Sequence, residues 1–225
     1  MNARTIDAKA NDGLSAWIAS SRTAVLIIDM QVDFASPDGA LGGMVDFSTV
    51  GPALAAAERL ADAARAADVP VVFVGLKTDP ATDSQAWRER MRRMGGDPES
   101  DSGLCRAATV GVEFVGPKPH PGDPIVFKAR YSGFHKTDLD AVLKGLGVDT
   151  LVVCGLTTEC CIDCTVRDAF HLDYHVFIAA DACAAYELDF HGPALKAMEA
   201  NCAILTDVAA VSGAWIHSGA EVARG

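Results

Sequence analysis

The feature that most constrains this chain is a series of short, wholly apolar, β-branched runs set apart by segments of helical length. VLII from Val25, PVVFV from Pro70 and LVVC from Leu151 are apolar at every position instead of every second one. A strand with one wet face alternates apolar and polar residues. A strand buried on both faces has no reason to, and that pattern belongs to parallel sheets covered by helices on either side. Six strands are expected: TAVLIID ending at Asp29, VPVVFVGL ending at Leu76, PIVFKA around Lys128, TLVVCGL from Thr150, HVFIAADAC from His175, and CAILTDVAAV from Cys202. Between them lie helical patterns beginning at Gly51, Gln85, Thr137 (expected as an N-cap), Glu159 and Asp189. The predicted class is a three-layer α/β/α fold around a six-stranded, mainly parallel sheet.

At 225 residues the chain suits one sizeable core better than two. Residues 1–22 are expected to form a loosely attached N-terminal arm, and 23–225 a single domain. Residues 77–123 are expected to wall or cover a pocket, with 95–123 largely irregular because it is rich in Gly, Pro and Asp. The formal net charge of -11 argues against nucleic-acid phosphate or an anionic membrane as partner, and no apolar run reaches spanning length. Four of the seven cysteines fall within residues 154–164, a crowding that suits a reducing compartment rather than a disulfide framework. The expected location is cytoplasmic.

Open parallel sheets bind ligands beyond the carboxyl ends of their strands. Three reactive side chains are expected at that edge: Asp29 after the first strand, Lys128 at the end of the third, and Cys160 or Cys161 where the helix after the fourth begins. A cysteine at a helix start is favoured as thiolate by the dipole, and the free N–H groups there can hold an oxyanion. A carboxylate can take the thiol proton, and a lysine beside both balances their charge. Cys161-Ile162-Asp163-Cys164 is formally C-x-x-C, and Cys154, Cys160, Cys161 and Cys164 together raise the question of zinc. The competing Asp and Lys argue against redox use, and two adjacent cysteines with a mid-strand third make tetrahedral ligation awkward.

GLTTECCIDCTVRDAF from Gly155 resembles the nucleophile motif of the isochorismatase-like cysteine hydrolases, and that register selects Cys161 over Cys160. Two further motifs of that family are matched in order, by Asp29-Met30-Gln31-Val32-Asp33-Phe34 and by Phe127 to Phe134, and the resemblance covers about Thr23 to Val211. It implies an Asp29-Lys128-Cys161 triad and a cis peptide at Leu156-Thr157. It also implies an oxyanion hole built from the Thr157 and Cys161 N–H groups. The implied activity is cleavage of a small amide or ureido C–N bond through a thioester, without metal or other cofactor, similar to ureidoacrylate amidohydrolases. The D-x-H motif that holds a metal in nicotinamidases has no counterpart, since Leu76-Lys77-Thr78-Asp79-Pro80 lacks histidine. The expected substrate contacts are Phe34, Lys77, Trp87, Tyr131 and Phe134. The alternatives are isochorismate hydrolysis, which cleaves a vinyl ether and has no need of a thiol, and a non-catalytic binding role. By analogy to the family alone, a homodimer or homotetramer is expected.

Overall fold

The computed structural model describes residues 8–101 and 103–222. Its six strands are β1 Thr23–Ile28, β2 Val71–Leu76, β3 Ile125–Lys128, β4 Thr150–Leu156, β5 His175–Ala184 and β6 Ile204–Thr206. They form one sheet of order β3-β2-β1-β4-β5-β6, and every neighbouring pair is parallel. The apolar runs explain the middle of the sheet: β1, β2 and β4 are buried at every position. β3, an edge strand, alternates instead. Its two-residue period puts Lys128 on the same inward face as Val126.

The helices in chain order are α1 Ala8–Trp17, α2 Val32–Ala35, α3 Val50–Ala66, α4 Gln85–Arg93, α5 Pro98–Asp101, α6 Leu139–Gly145, α7 Asp163–His171, α8 Leu188–Asn201 and α9 Val208–Val222. α3 buries the stripe Ala53, Ala56, Ala57, Leu60, Ala61 and Ala64, the i, i+3, i+4 spacing of a helix lying on a sheet. α1, α3 and α9 pack together as one layer. α7 and α8 pack against each other, α7 on β5 and α8 on β6.

Four expectations are corrected. Residues 8–22 are no loose arm: Leu14 and Ile18 are core residues, and the Trp215 indole donates to the Ile18 carbonyl at 2.8 Å. CAILTDVAAV yields only the three-residue β6 before Val208 opens α9. Thr137 sits just before α6 without being its N-cap; it ties the helix start to the preceding loop by donating to Gly133 O and accepting from Leu139 N. The helix expected from Glu159 begins as a π-helical turn, Thr158–Ile162, before α7.

Strand order reverses between β1 and β4, since the chain grows outward from β1 in one direction and then from β4 in the other. Such a switch point opens a crevice at the carboxyl ends of the two strands. Asp29 directly follows β1 and Thr157 directly follows β4, so the fold places both at that crevice. β4 approaches β1 so closely there that only glycine fits. At Gly155 φ is +135°, and an added Cβ would lie 2.0 Å from the Ile28 carbonyl oxygen.

Candidate active site

Asp29 leaves β1 in the left-handed region, with φ 51°, which aspartate tolerates better than most residues. Its N–H stays on the sheet, donating to Val74 O at 2.8 Å. β2 lies between β3 and β1, so the long Lys128 stem passes over the end of β2. Its ammonium donates to Asp29 Oδ2 at 2.7 Å and to Cys161 Sγ at 3.4 Å. All three residues are buried. Burial lowers the pKa of Lys128, but Asp29 and Cys161 outweigh it and raise the pKa above the ordinary value. Lys128 is therefore a fixed cation. Asp29 Oδ1 is buried and has no hydrogen-bond partner among the described residues.

The thiol differs from the sequence expectation. A cysteine at an exposed helix start would be drawn toward thiolate, but Cys161 sits inside the π-helical turn and is enclosed. A hydrogen bond with Cys160, burial and the Asp29 charge hold it well above the ordinary thiol value, against the pull of Lys128. These neighbours favour the thiol form, for which an adjacent base is the natural proton acceptor.

The motif residues around the triad hold it in place. Gln31 clips the end of β1 to β2: its amide oxygen accepts from Leu76 N at 2.7 Å, and its amide nitrogen donates to Leu76 O and Val112 O. Asp33 accepts from Cys105 N at 2.6 Å and Ala40 N at 2.9 Å, fastening two loops. Thr165 donates to Cys161 O at 2.6 Å and accepts from Gly133 N at 3.0 Å, and Ser132 donates to Asp168. The nucleophile motif and the lysine motif are thus stitched to each other. The peptide between Leu156 and Thr157 is cis, where the resemblance placed it.

Above the triad lies a cleft of about 570 Å³. Phe34, Trp87, Tyr131, Thr157 and Cys161 line it, as do Cys160, Thr78, Asp83, Arg90, Leu104, Arg130 and Tyr186, which the sequence reading did not choose. Two expected contacts fall outside its lining. Lys77 is exposed, with its ammonium over the Phe127 ring at 5.0 Å, and Phe134 packs against Tyr174 and the core. Both follow a strand or a motif that the site does use, but their side chains point to other neighbours.

The missed residues had partial signals. Tyr186 follows β5, another carboxyl end at the same edge, and its hydroxyl donates to Phe34 O at 2.8 Å. Ala86, Trp87 and Arg90 share one face of α4 by helical spacing. The wall itself is pinned rather than loose: Thr78 N donates to Cys105 O at 2.9 Å, Val115 N to Met30 O at 2.9 Å, and Val32 N to Glu113 O at 2.9 Å. Among the histidines, His135 is exposed outside the cleft, and His191 Nδ1 is hydrogen-bonded to Thr158 Oγ1 at 2.8 Å, joining α8 to the π-helical turn. Among the described residues no three His, Cys, Asp or Glu side chains converge as a metal site, and no helix is long and apolar enough to cross a membrane.

A family model described as the isochorismatase domain matches residues 23–210. The chain belongs to the isochorismatase family. Within the isochorismatase family, it is 36% identical over 203 residues to the ureidoacrylate amidohydrolase RutB of Methylobacterium radiotolerans, which covers 85% of this chain and 79% of that protein. The crystal structure of a cysteine hydrolase from Pseudomonas syringae pv. phaseolicola 1448A superposes with a TM-score of 0.79 at 32% identity, over 90% of this chain and 96% of that one. N-carbamoylsarcosine amidase from Thermoplasma acidophilum shares the isochorismatase fold, with a TM-score of 0.67 at 24% identity over 83% and 96% of the two chains. The chain is a hydrolase of the isochorismatase family.

Proposed function

We propose that this hydrolase cleaves the C–N bond of a small amide, ureido or carbamoyl compound through a thioester on Cys161. The observation that carries the reading is the convergence of Asp29, Lys128 and Cys161 around one buried ammonium at the floor of the cleft, with Asp29 Oδ1 left unpartnered. An unpartnered buried carboxylate oxygen costs free energy, and a catalytic role is a reason for a fold to carry that cost. Here it is the site that receives the thiol proton.

Asp29 takes the proton of Cys161, and the sulfur attacks the substrate carbonyl. The backbone N–H groups of Thr157 and Cys161 hold the oxyanion that forms. Lys128 stays charged throughout and stabilises first the carboxylate, then the thiolate. The protonated Asp29 returns its proton to the leaving nitrogen, the C–N bond breaks, and ammonia or an amine departs. Water then gives a proton to Asp29 and its oxygen to the thioester carbonyl, the C–S bond breaks, and Asp29 returns that proton to the departing sulfur, so that the acid leaves with Cys161 again a thiol and Asp29 again a carboxylate. Phe34, Trp87 and Tyr131 shape the cleft around a small, partly apolar substrate. The likeness to ureidoacrylate amidohydrolase supports a ureido acid as the substrate. The protein works in the cytoplasm as a homo-oligomer on this reading, which rests on its cysteine usage and on analogy to the family.

The test is ammonia release from ureidoacrylate, N-carbamoyl amino acids, maleamate, biuret and nicotinamide by wild type and Cys161→Ala. Turnover of one member by wild type and none by the variant is expected. Turnover surviving in Cys161→Ala would sink the assignment of the nucleophile.

A further inference from the structure

Three charged side chains line the cleft, Asp83, Arg90 and Arg130. Asp83 is already neutralised: Arg106 donates to it at 2.7 and 2.9 Å, and Arg88 lies 3.5 Å away. Arg130 is only partly engaged: its Nη1 donates to the carbonyls of Thr82 and Ala129, and it has no acidic partner among the described residues. Arg90 differs. The other arginines of α4 are paired, Arg88 with Asp83 and Glu99, and Arg92 and Arg93 with Glu89. The Arg90 side chain makes no hydrogen bond or ion pair among the described residues. Three residues earlier on the same helical face, the Trp87 indole N–H is buried with no acceptor among the described residues. Two donors without partners thus stand one helical turn apart in a cleft whose remaining wall is mostly apolar.

We propose that Arg90 selects substrates carrying a carboxylate away from the scissile bond, so that the enzyme takes ureido or carbamoyl acids in preference to neutral amides. This rests on reading the cleft as the amidohydrolase site. A guanidinium presents paired N–H donors whose spacing matches a carboxylate, and such charge-assisted pairs are the stronger hydrogen bonds of proteins. The chain carries a net charge of -11, so its overall field repels an anionic substrate. A local cation at the cleft is what admits one. Arg90 is a binding residue here and takes no part in bond making.

The test uses 3-ureidoacrylate and 1-propenylurea, the same ureide with a methyl group in place of the carboxylate. Wild type should prefer the acid by about a hundredfold in kcat/KM, the size of two lost charge-assisted contacts. Arg90→Gln should cut that preference at least about tenfold, through KM more than kcat, with Arg90→Lys intermediate because it restores charge without the fork. Arg92→Gln, on the same helix but paired outside the cleft, should leave the preference unchanged. Calorimetry on Cys161→Ala with and without Arg90→Gln reads recognition independently of turnover. Acid binding weakened about tenfold by the Arg90 change supports the proposal even if no ammonia is released, an outcome that would instead overturn the amidohydrolase reading. Equal handling of the two ureides by wild type, or acid binding indifferent to Arg90→Gln, overturns the proposal.

Discussion

Replacing Lys128 by methionine separates the charge from the stem that carries it. Methionine fills much of the same buried path over β2 but supplies no ammonium. The pair it breaks is fully enclosed, with side-chain exposures of 0% for Lys128 and 1% for Asp29 at 2.7 Å. Removing one partner of such a pair leaves a buried carboxylate without compensation, which costs about 3–5 kcal/mol. Replacing both partners by neutral groups, in Asp29→Asn with Lys128→Met, removes the isolated charge and should recover at least half of that loss. With a urea m-value of about 3 kcal/mol/M, the single variant should shift the unfolding midpoint down by about 1–1.7 M. Urea titration followed by far-ultraviolet circular dichroism measures all three proteins. Both variants should be inactive, so stability and catalysis separate in the double variant. A loss under about 1 kcal/mol for Lys128→Met, as for an exposed pair, would refute the reasoning. So would a double variant no more stable than the single one.

Thr165→Val keeps the shape of a fully buried side chain but removes the link between Cys161 O and Gly133 N. It strands a buried N–H, so a loss of about 2–4 kcal/mol in stability is expected, with a drop in kcat larger than any change in KM; chemical denaturation and steady-state kinetics check it. Asp83 is held below the usual carboxylate range by its hydrogen bonds to Arg106, against the opposing effect of burial, with Arg88 adding to the pull. Because its folded pKa is the lower one, its contribution to stability is fully present above the unfolded value of about 3.9 and is lost as pH falls. The stability gap between wild type and Asp83→Asn should therefore be open at pH 7 and begin to close once pH falls below about 4; a gap that widened on acidification would contradict the clamp.

The layout of the fold was legible because fully apolar strands leave few alternatives, and β1, β2 and β4 are buried at every position as the runs required. The positions of Asp29, Lys128 and Cys161 followed from topology, since carboxyl strand ends converge at a switch point. What sequence reasoning missed depended on tertiary contact. Residues 8–22 looked polar and loose, but two apolar residues, Leu14 and Ile18, suffice to seat that segment once α9 offers a surface. The thiol of Cys161 was expected to lean toward thiolate, because its enclosure and its neighbour Cys160 are invisible to a local motif. Lys77 was taken for a cleft residue because it opens the segment 77–123 expected to wall the pocket, yet its ammonium lies over the ring of Phe127 on the adjacent strand. Arg90 was hidden among four arginines of α4, three of them with acidic partners.

The central claim is that Cys161 carries the acyl group. Rapid quench of wild type with a turned-over ureido or carbamoyl acid, followed by intact mass and peptide mapping, tests it most directly. The account predicts an adduct of the acyl mass on the peptide containing Cys161, discharged by hydroxylamine and absent in Cys161→Ala but retained in Cys160→Ala. An adduct that maps to Cys160, or turnover with no adduct under conditions where hydrolysis of the thioester is rate-limiting, would contradict it.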